Sequence, residues 1–256
     1  MPVLETRGCS LRFGGLQAAR DVTLAAGEWE IVGIIGPNGA GKTTVFNIIS
    51  GFYRPDAGSV WWKGTDVTGL AVHQRAGLGM GRTFQNVGLV KGSTVGENLL
   101  TAQHLAAGYS ALAGMLGAPA SFAAERALAE RAEELAGLLG LSPLLADRVD
   151  DLPYGMRKRV ELAAVLATRP EVLLLDEPTS GMGPEEAHAF GDSLLELRRA
   201  FELTVVMIEH HVPLVTRVCD YVYCLNFGEV LAEGRPDAVR SHPEVIRAYL
   251  GEEAPV

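Results

Sequence analysis

Cysteine is scarce and scattered. Cys9, Cys219 and Cys224 are the only thiols in 256 residues, too few for a disulfide framework or a zinc cluster. Inert thiols in a reducing compartment are expected. A basic surplus is missing too. Lys and Arg total 22 against 31 Asp and Glu, a net charge of −9, whereas a binder of nucleic-acid phosphates needs a basic footprint. No run of about 18 or more strongly apolar residues occurs, so no membrane-spanning helix is expected. The nearest approach, Leu105 to Ala124, is diluted by Ala and Gly and holds Pro119. The start, MPVLETRGCSLRF, lacks the basic-then-apolar order of a secretory signal. A cytoplasmic chain that reaches a membrane only through partners is expected.

What the chain does have is a supply of short apolar runs bounded by Gly and Pro. At 48% hydrophobic and this length, it can bury about 70–75% of its unfolded surface without staples. Residues 30–35 (EIVGII), 172–175 (VLLL) and 204–208 (TVVMI) read as buried strands of a parallel sheet covered on both faces. Helices are expected over Lys42 to Ser50, closed by Gly51, over Gly155 to Thr168, and over Pro184 to Phe201 behind an acidic first turn. Two regions break this alternation. Residues 1–30 with 56–75 mix short strands and turns, and residues 88–157 are helical, with Leu128, Ala132, Leu135 and Leu139 at helical spacing and an Arg126–Glu130 pair. One chain-long domain is expected: 1–87 with 158–256 as β subdomain plus core, and 88–157 as helical subdomain.

Gly36-Pro37-Asn38-Gly39-Ala40-Gly41-Lys42-Thr43 fits G-x-x-x-x-G-K-[ST] between a strand and a helix, the context the motif requires. Glycines let the backbone turn tightly so that N–H groups cradle a β-phosphate. The helix start, including Thr44, adds partial positive charge. Lys42 reaches β/γ oxygens, and the Thr43 hydroxyl can ligate Mg²⁺. The second acidic strand ends in Asp176–Glu177. Asp176 would sit in the Mg²⁺ shell, and Glu177 would polarise an attacking water as general base. His210–His211 has no further clustered ligands and is not expected to hold a metal.

In this order the motifs resemble those of ATP-binding-cassette (ABC) transporter ATPases over nearly the whole chain. The resemblance implies an α/β P-loop fold: a RecA-like parallel-sheet core, a small antiparallel β subdomain and an inserted α-helical subdomain. It places Phe13 against adenine, Gln85 near Mg²⁺ and the membrane partner, and His210 on γ-phosphate. It makes Pro153-Tyr154-Gly155-Met156 the signature that faces the ATP of a second subunit. Phe13-Gly14-Gly15-Leu16-Gln17-Ala18, Arg82-Thr83-Phe84-Gln85, residues 95–100 (VGENLL) and the ending 243–251 (PEVIRAYLG) are similar to the ATPase subunits of branched-chain amino-acid importers. Urea importer and lipopolysaccharide-export ATPases are near relatives of that branch.

The resemblance implies ATP and Mg²⁺ as cofactors, a second ATPase subunit, two transmembrane permeases docking around Asn86 to Val90 and the helical region beyond, and an indirect substrate-binding protein. It implies a peripheral place on the cytoplasmic face of the inner membrane, and no nucleic acid. Two positions depart from the family. Pro153 stands where the signature has Ser, and Gly183 stands where a later loop has Asp or Asn before Pro184. Both face the partner's nucleotide, so a heterodimer with one weakened site is expected, a symmetric homodimer being the alternative. A soluble ABC ATPase acting on DNA or ribosomes and a non-catalytic nucleotide-binding module are the competing functions. Trp61–Trp62 is expected to be a packed ring beside a surface ring, and Gly251-Glu252-Glu253 a solvated tail.

Overall fold

The computed structural model describes residues 1–83, 88–103 and 119–250, with side chains from 125 onward in the last stretch. Gln85, residues 86–87 of the expected docking surface, most of Leu105 to Ala124 and the tail from Gly251 lie outside the described residues.

The strands are β1 (Leu4–Phe13), β2 (Leu16–Ala26), β3 (Ile31–Ile35), β4 (Ala57–Trp62), β5 (Thr65–Asp66), β6 (Met80–Arg82), β7 (Val172–Asp176), β8 (Thr204–Ile208), β9 (Tyr221–Asn226) and β10 (Glu229–Gly234). The helices are α1 (Lys42–Ser50), α2 (Val72–Gly77), α3 (Val95–Ala102), α4 (Pro119–Leu138), α5 (Tyr154–Ala167), α6 (Pro184–Phe201), α7 (Val212–Val218), α8 (Pro236–Arg240) and α9 (Pro243–Leu250). The three apolar runs form β3, β7 and β8, in which every residue is buried.

The chain divides into two compact units, Met1–Arg82 with Glu171–Val256, and Thr83–Pro170. The second is wider at both ends than the expected 88–157. In the first unit, a six-stranded sheet runs β10-β9-β3-β8-β7-β6, and a four-stranded sheet runs β2-β1-β4-β5. The first sheet is parallel except for β10. The second is antiparallel throughout. In the second sheet Trp62 is buried, while Trp61 carries the Arg7 guanidinium over its ring at 4.0 Å.

Register decides where chemistry collects. Ile34 pairs with Ile208, and Ile208 with Asp176, so β3, β8 and β7 end level. The residues just beyond are the phosphate loop, Glu209–His210 and Glu177. They share the carboxyl edge of the sheet, where open α/β sheets bind ligands.

In the second unit, α3 opens with a capping box. The Glu97 N–H donates to the Thr94 hydroxyl, and the Thr94 N–H donates to the Glu97 carboxylate. Ala132, Leu135 and Leu139 are buried on the face their spacing predicts. Arg126 and Glu130 pair at 2.8 Å. The expected helix starting at Gly155 begins one residue earlier, at Tyr154, with Pro153 as its N-cap and no side-chain cap bond.

Candidate active site

The phosphate loop joins β3 to α1. Gly41, at φ +96°, caps α1 without a side-chain bond, and a Cβ there would lie 2.4 Å from the Ala18 carbonyl. Only glycine fits so tight a left-handed turn. The Ala40 N–H closes the loop on the Pro37 carbonyl at 3.2 Å, while Asn38 and Gly39 are exposed. The first-turn N–H groups of α1, from Lys42 through Thr44, have no intrahelical acceptor and present a partial positive charge.

The Lys42 ammonium donates to the Gly36 carbonyl at 2.7 Å and the Pro37 carbonyl at 2.9 Å. Burial pulls its pKa below the ordinary lysine value, and the Glu177 and Asp176 carboxylates nearby oppose that shift. Lys42 thus waits on its own loop's carbonyls, a short reach from where a phosphate would sit. Gly36 is fixed from a second side. Its N–H donates to the Tyr249 hydroxyl on α9 at 2.8 Å.

Beside the loop, the Asp176 carboxylate is buried at the end of β7 and takes the Arg82 guanidinium at 3.3 Å. Burial lowers the Arg82 pKa, with the Asp176 charge opposing it. Arg82 also reaches the Asn47 amide oxygen at 2.8 Å and the Ser50 hydroxyl, both on α1, and so couples β7 to the phosphate-loop helix. Glu177 follows at φ +48°, a costly conformation for a residue with a Cβ. Its N–H donates to the Ile208 carbonyl at 3.0 Å. Its side chain meets His210, Oε1 to Nε2, at 2.5 Å. These two side chains border a cavity of about 280 Å³ that Thr179, Met182 and Glu209 also line.

Phe13, half-exposed at the β1–β2 turn, meets the Tyr53 ring edge-on with centroids 5.2 Å apart. The rest of the ring lies at the surface. Among the described residues no cluster of three or more His, Cys, Asp or Glu is placed to hold a metal ion. An exposed Thr43 hydroxyl and the Asp176 carboxylate are hard oxygen donors. They suit a Mg²⁺ that keeps water and phosphate oxygens in its shell rather than one caged by protein alone. Pro153 to Met156 lie in the other unit, with Pro153 and Tyr154 exposed at the start of α5.

Residues 19–180 match the ABC transporter family, and residues 229–255 match the branched-chain amino acid ATP-binding cassette transporter family. The chain belongs to the ABC transporter family. It is 42% identical to the high-affinity branched-chain amino acid transport ATP-binding protein BraF of Pseudomonas aeruginosa, over 98% of both chains. It is 41% identical to LivG of Escherichia coli over the same shares. The crystal structure of an ABC transporter's ATP-binding cassette in its ADP conformation superposes with a TM-score of 0.84 at 32% identity, covering 98% of this chain and all of that one. The α/β P-loop fold and the ATPase class expected from the motifs are therefore established. No helix among the described residues is long and apolar enough to cross a membrane.

Sequence reasoning singled out Lys42, Asp176, Glu177 and His210, which the first unit of this ABC ATPase gathers along one sheet edge. It missed three residues. Tyr249 was legible only as part of an ending, because its target is 213 positions away. Arg82 was read as part of a motif without a partner. Glu209 was not singled out, although an acid directly after an apolar strand is the same signal that marked Asp176.

Proposed function

We propose that this chain is the ATP-binding and ATP-hydrolysing subunit of an importer for branched-chain or related amino acids. The observation that carries the hydrolytic half is the Glu177–His210 contact at 2.5 Å on the strand-end edge shared with the phosphate loop. The transport half rests on the named relatives and on the match of residues 229–255.

The chemistry follows from the residues. Backbone N–H groups of Gly39 and of Gly41 to Thr44 hold the β-phosphate, with Gly36, Pro37, Asn38 and Ala40 shaping the loop. Lys42 leaves the Gly36 and Pro37 carbonyls for the β/γ oxygens. Phe13 stacks on adenine. His210 turns from Glu177 to the γ-phosphate, and the freed Glu177 carboxylate orients and deprotonates the attacking water. Thr43, Asp176 and Gln85 would hold Mg²⁺, which when bound neutralises charge on the phosphate oxygens.

The chain pairs with a second ATPase subunit and works on two permeases fed by a substrate-binding protein, at the cytoplasmic face of the inner membrane. Pro153 supplies neither hydroxyl nor N–H to the partner's γ-phosphate, and Gly183 supplies no side chain, so the pair is a heterodimer with one weakened site. The test is uptake of radiolabelled leucine by proteoliposomes holding the whole complex with ATP inside. ATP-dependent uptake lost in Glu177→Gln supports the reading. Glu177-dependent ATPase without uptake of any branched-chain amino acid limits it to a related transport system. Co-purification of Glu177→Gln from membranes in Mg-ATP decides the partners, and a clean homodimer would overturn the asymmetric pair.

A further inference from the structure

We propose that Glu209 is a positioning residue for ATP hydrolysis: its carboxylate clamps the loop carrying Glu177 to the turn carrying His210. This rests on the hydrolytic reading of the Glu177–His210 pair.

Glu209 lies one residue past the end of β8 and is 3% exposed. A buried carboxylate is costly unless donors surround it. This one accepts from four, divided one oxygen to each loop. Oε1 takes the Thr179 N–H at 3.1 Å and the Thr179 hydroxyl. Oε2 takes the His210 N–H at 2.8 Å and the His211 N–H at 3.1 Å. None of the four is a cation, so the charge is spent entirely on fixing backbone and one hydroxyl.

Those four donors come from the two segments whose side chains do the chemistry. Thr179 is two residues beyond Glu177, and the His210 N–H belongs to the histidine itself. Between the segments the main chain supplies the Glu177 N–H to Ile208 carbonyl bond at the strand ends. The Glu177–His210 side-chain contact cannot hold them during turnover, because both groups must re-aim toward water and γ-phosphate. Glu209 keeps the two backbones at fixed separation while that contact opens. Acting through other residues and not on nucleotide, it should set the rate and leave ATP affinity alone.

Glu209→Gln keeps the shape but turns one acceptor oxygen into an amide donor, facing one of the two loops with donor against donor. We expect kcat to fall about 10–100-fold, the scale of a sub-ångström to ångström misplacement of catalytic groups. ATP affinity, read by displacement of a fluorescent nucleotide, should stay within about threefold, since no binding interaction is removed. Thr179→Val should lower kcat by about 3–10-fold, the net scale of one lost hydrogen bond with the clamp's other three donors kept, and Thr179→Ser, which keeps the hydroxyl, should restore it.

The assembled complex with its partner subunits is used throughout, with Glu177→Gln in this chain as reference. A wild-type rate that Glu177→Gln leaves unchanged overturns the hydrolytic reading and the clamp with it. A rate that Glu177→Gln abolishes but Glu209→Gln spares overturns the clamp alone. So does a loss of ATP affinity as large as the loss of kcat, which marks a general structural role. Should Glu209→Gln fail to fold, the Thr179 pair decides: equal effects of Val and Ser overturn the clamp, and rescue by Ser upholds it.

Discussion

The two halves of the site are built by opposite means. The phosphate loop is one contiguous segment whose working groups are backbone. Its sequence matters because glycines allow a shape, as at Gly41, where a Cβ would meet the Ala18 carbonyl at 2.4 Å. The proposed hydrolytic cluster is side chains brought from two strand ends. Glu177 and His210 are 33 positions apart and meet because β7 and β8 pair in parallel with Asp176 level with Ile208. A backbone-built site tolerates little added volume, and a side-chain-built site tolerates little change of charge. Each half should therefore fail to the kind of substitution the other tolerates.

The sharpest break is Glu177→Gln. It keeps volume and removes only the base, so kcat should fall by about 10²–10⁴-fold, the range of general acid–base catalysis. ATP binding should persist, because Glu177 contributes nothing to the phosphate cradle. Phosphate release under saturating ATP, with nucleotide retention measured alongside, checks this. Retained kcat would mean that the cluster is not the hydrolytic half.

Gly41→Ala is the matching break in the loop. It adds one methyl at φ +96° against a backbone carbonyl. Left-handed strain and overlap of this kind cost about 1–3 kcal/mol, or about 5–150-fold in ATP affinity if the strain is relieved by distorting the loop. Equilibrium nucleotide binding reads the loss, and a hydrolysis rate at saturating ATP within about tenfold of wild type would confirm that the two halves fail separately.

This difference in construction also explains what the sequence could say. The loop, the strands around it, α1 and α6 are local, and their residues announce them: an apolar run, a glycine-rich turn, Lys-Thr, then helix formers. Asp176–Glu177 and His210 were legible as strand-end groups in family order. Their meeting was not, because it depends on strand order and register. Tyr249 and Arg82 were illegible for the same reason. Each is an ordinary helix or strand residue until the fold sets Tyr249 against Gly36 and Arg82 against Asp176 and α1. Pro153 was read by type alone, and the structure adds that it begins the α5 helix without a side-chain cap.

Tyr249 sharpens the comparison most finely, because it is a side chain acting on the backbone-built half. Its hydroxyl accepts the Gly36 N–H at 2.8 Å, and the Gly36 carbonyl in turn holds Lys42 at 2.7 Å. Tyr249→Phe keeps the ring and removes only the acceptor. ATP affinity should weaken about 3–10-fold, the net scale of one lost hydrogen bond, with kcat at saturating ATP unchanged. The burial of that hydroxyl, opposed by the Gly36 hydrogen bond, gives an alkaline signature. Burial raises the Tyr249 pKa above the ordinary value of 10.0, so the folded state keeps the proton that the unfolded chain loses first. The stabilisation is complete below the unfolded value and is lost as pH climbs from there through the folded one. Wild-type Tm should therefore fall more steeply than that of Tyr249→Phe above about pH 10. Tyr223→Phe serves as the control, because burial pushes that hydroxyl up to about 12 at a site whose hydrogen-bond partner is Ala25, not the phosphate loop. Equal slopes in wild type and Tyr249→Phe would mean that the α9 hydroxyl is not buried against the loop in solution.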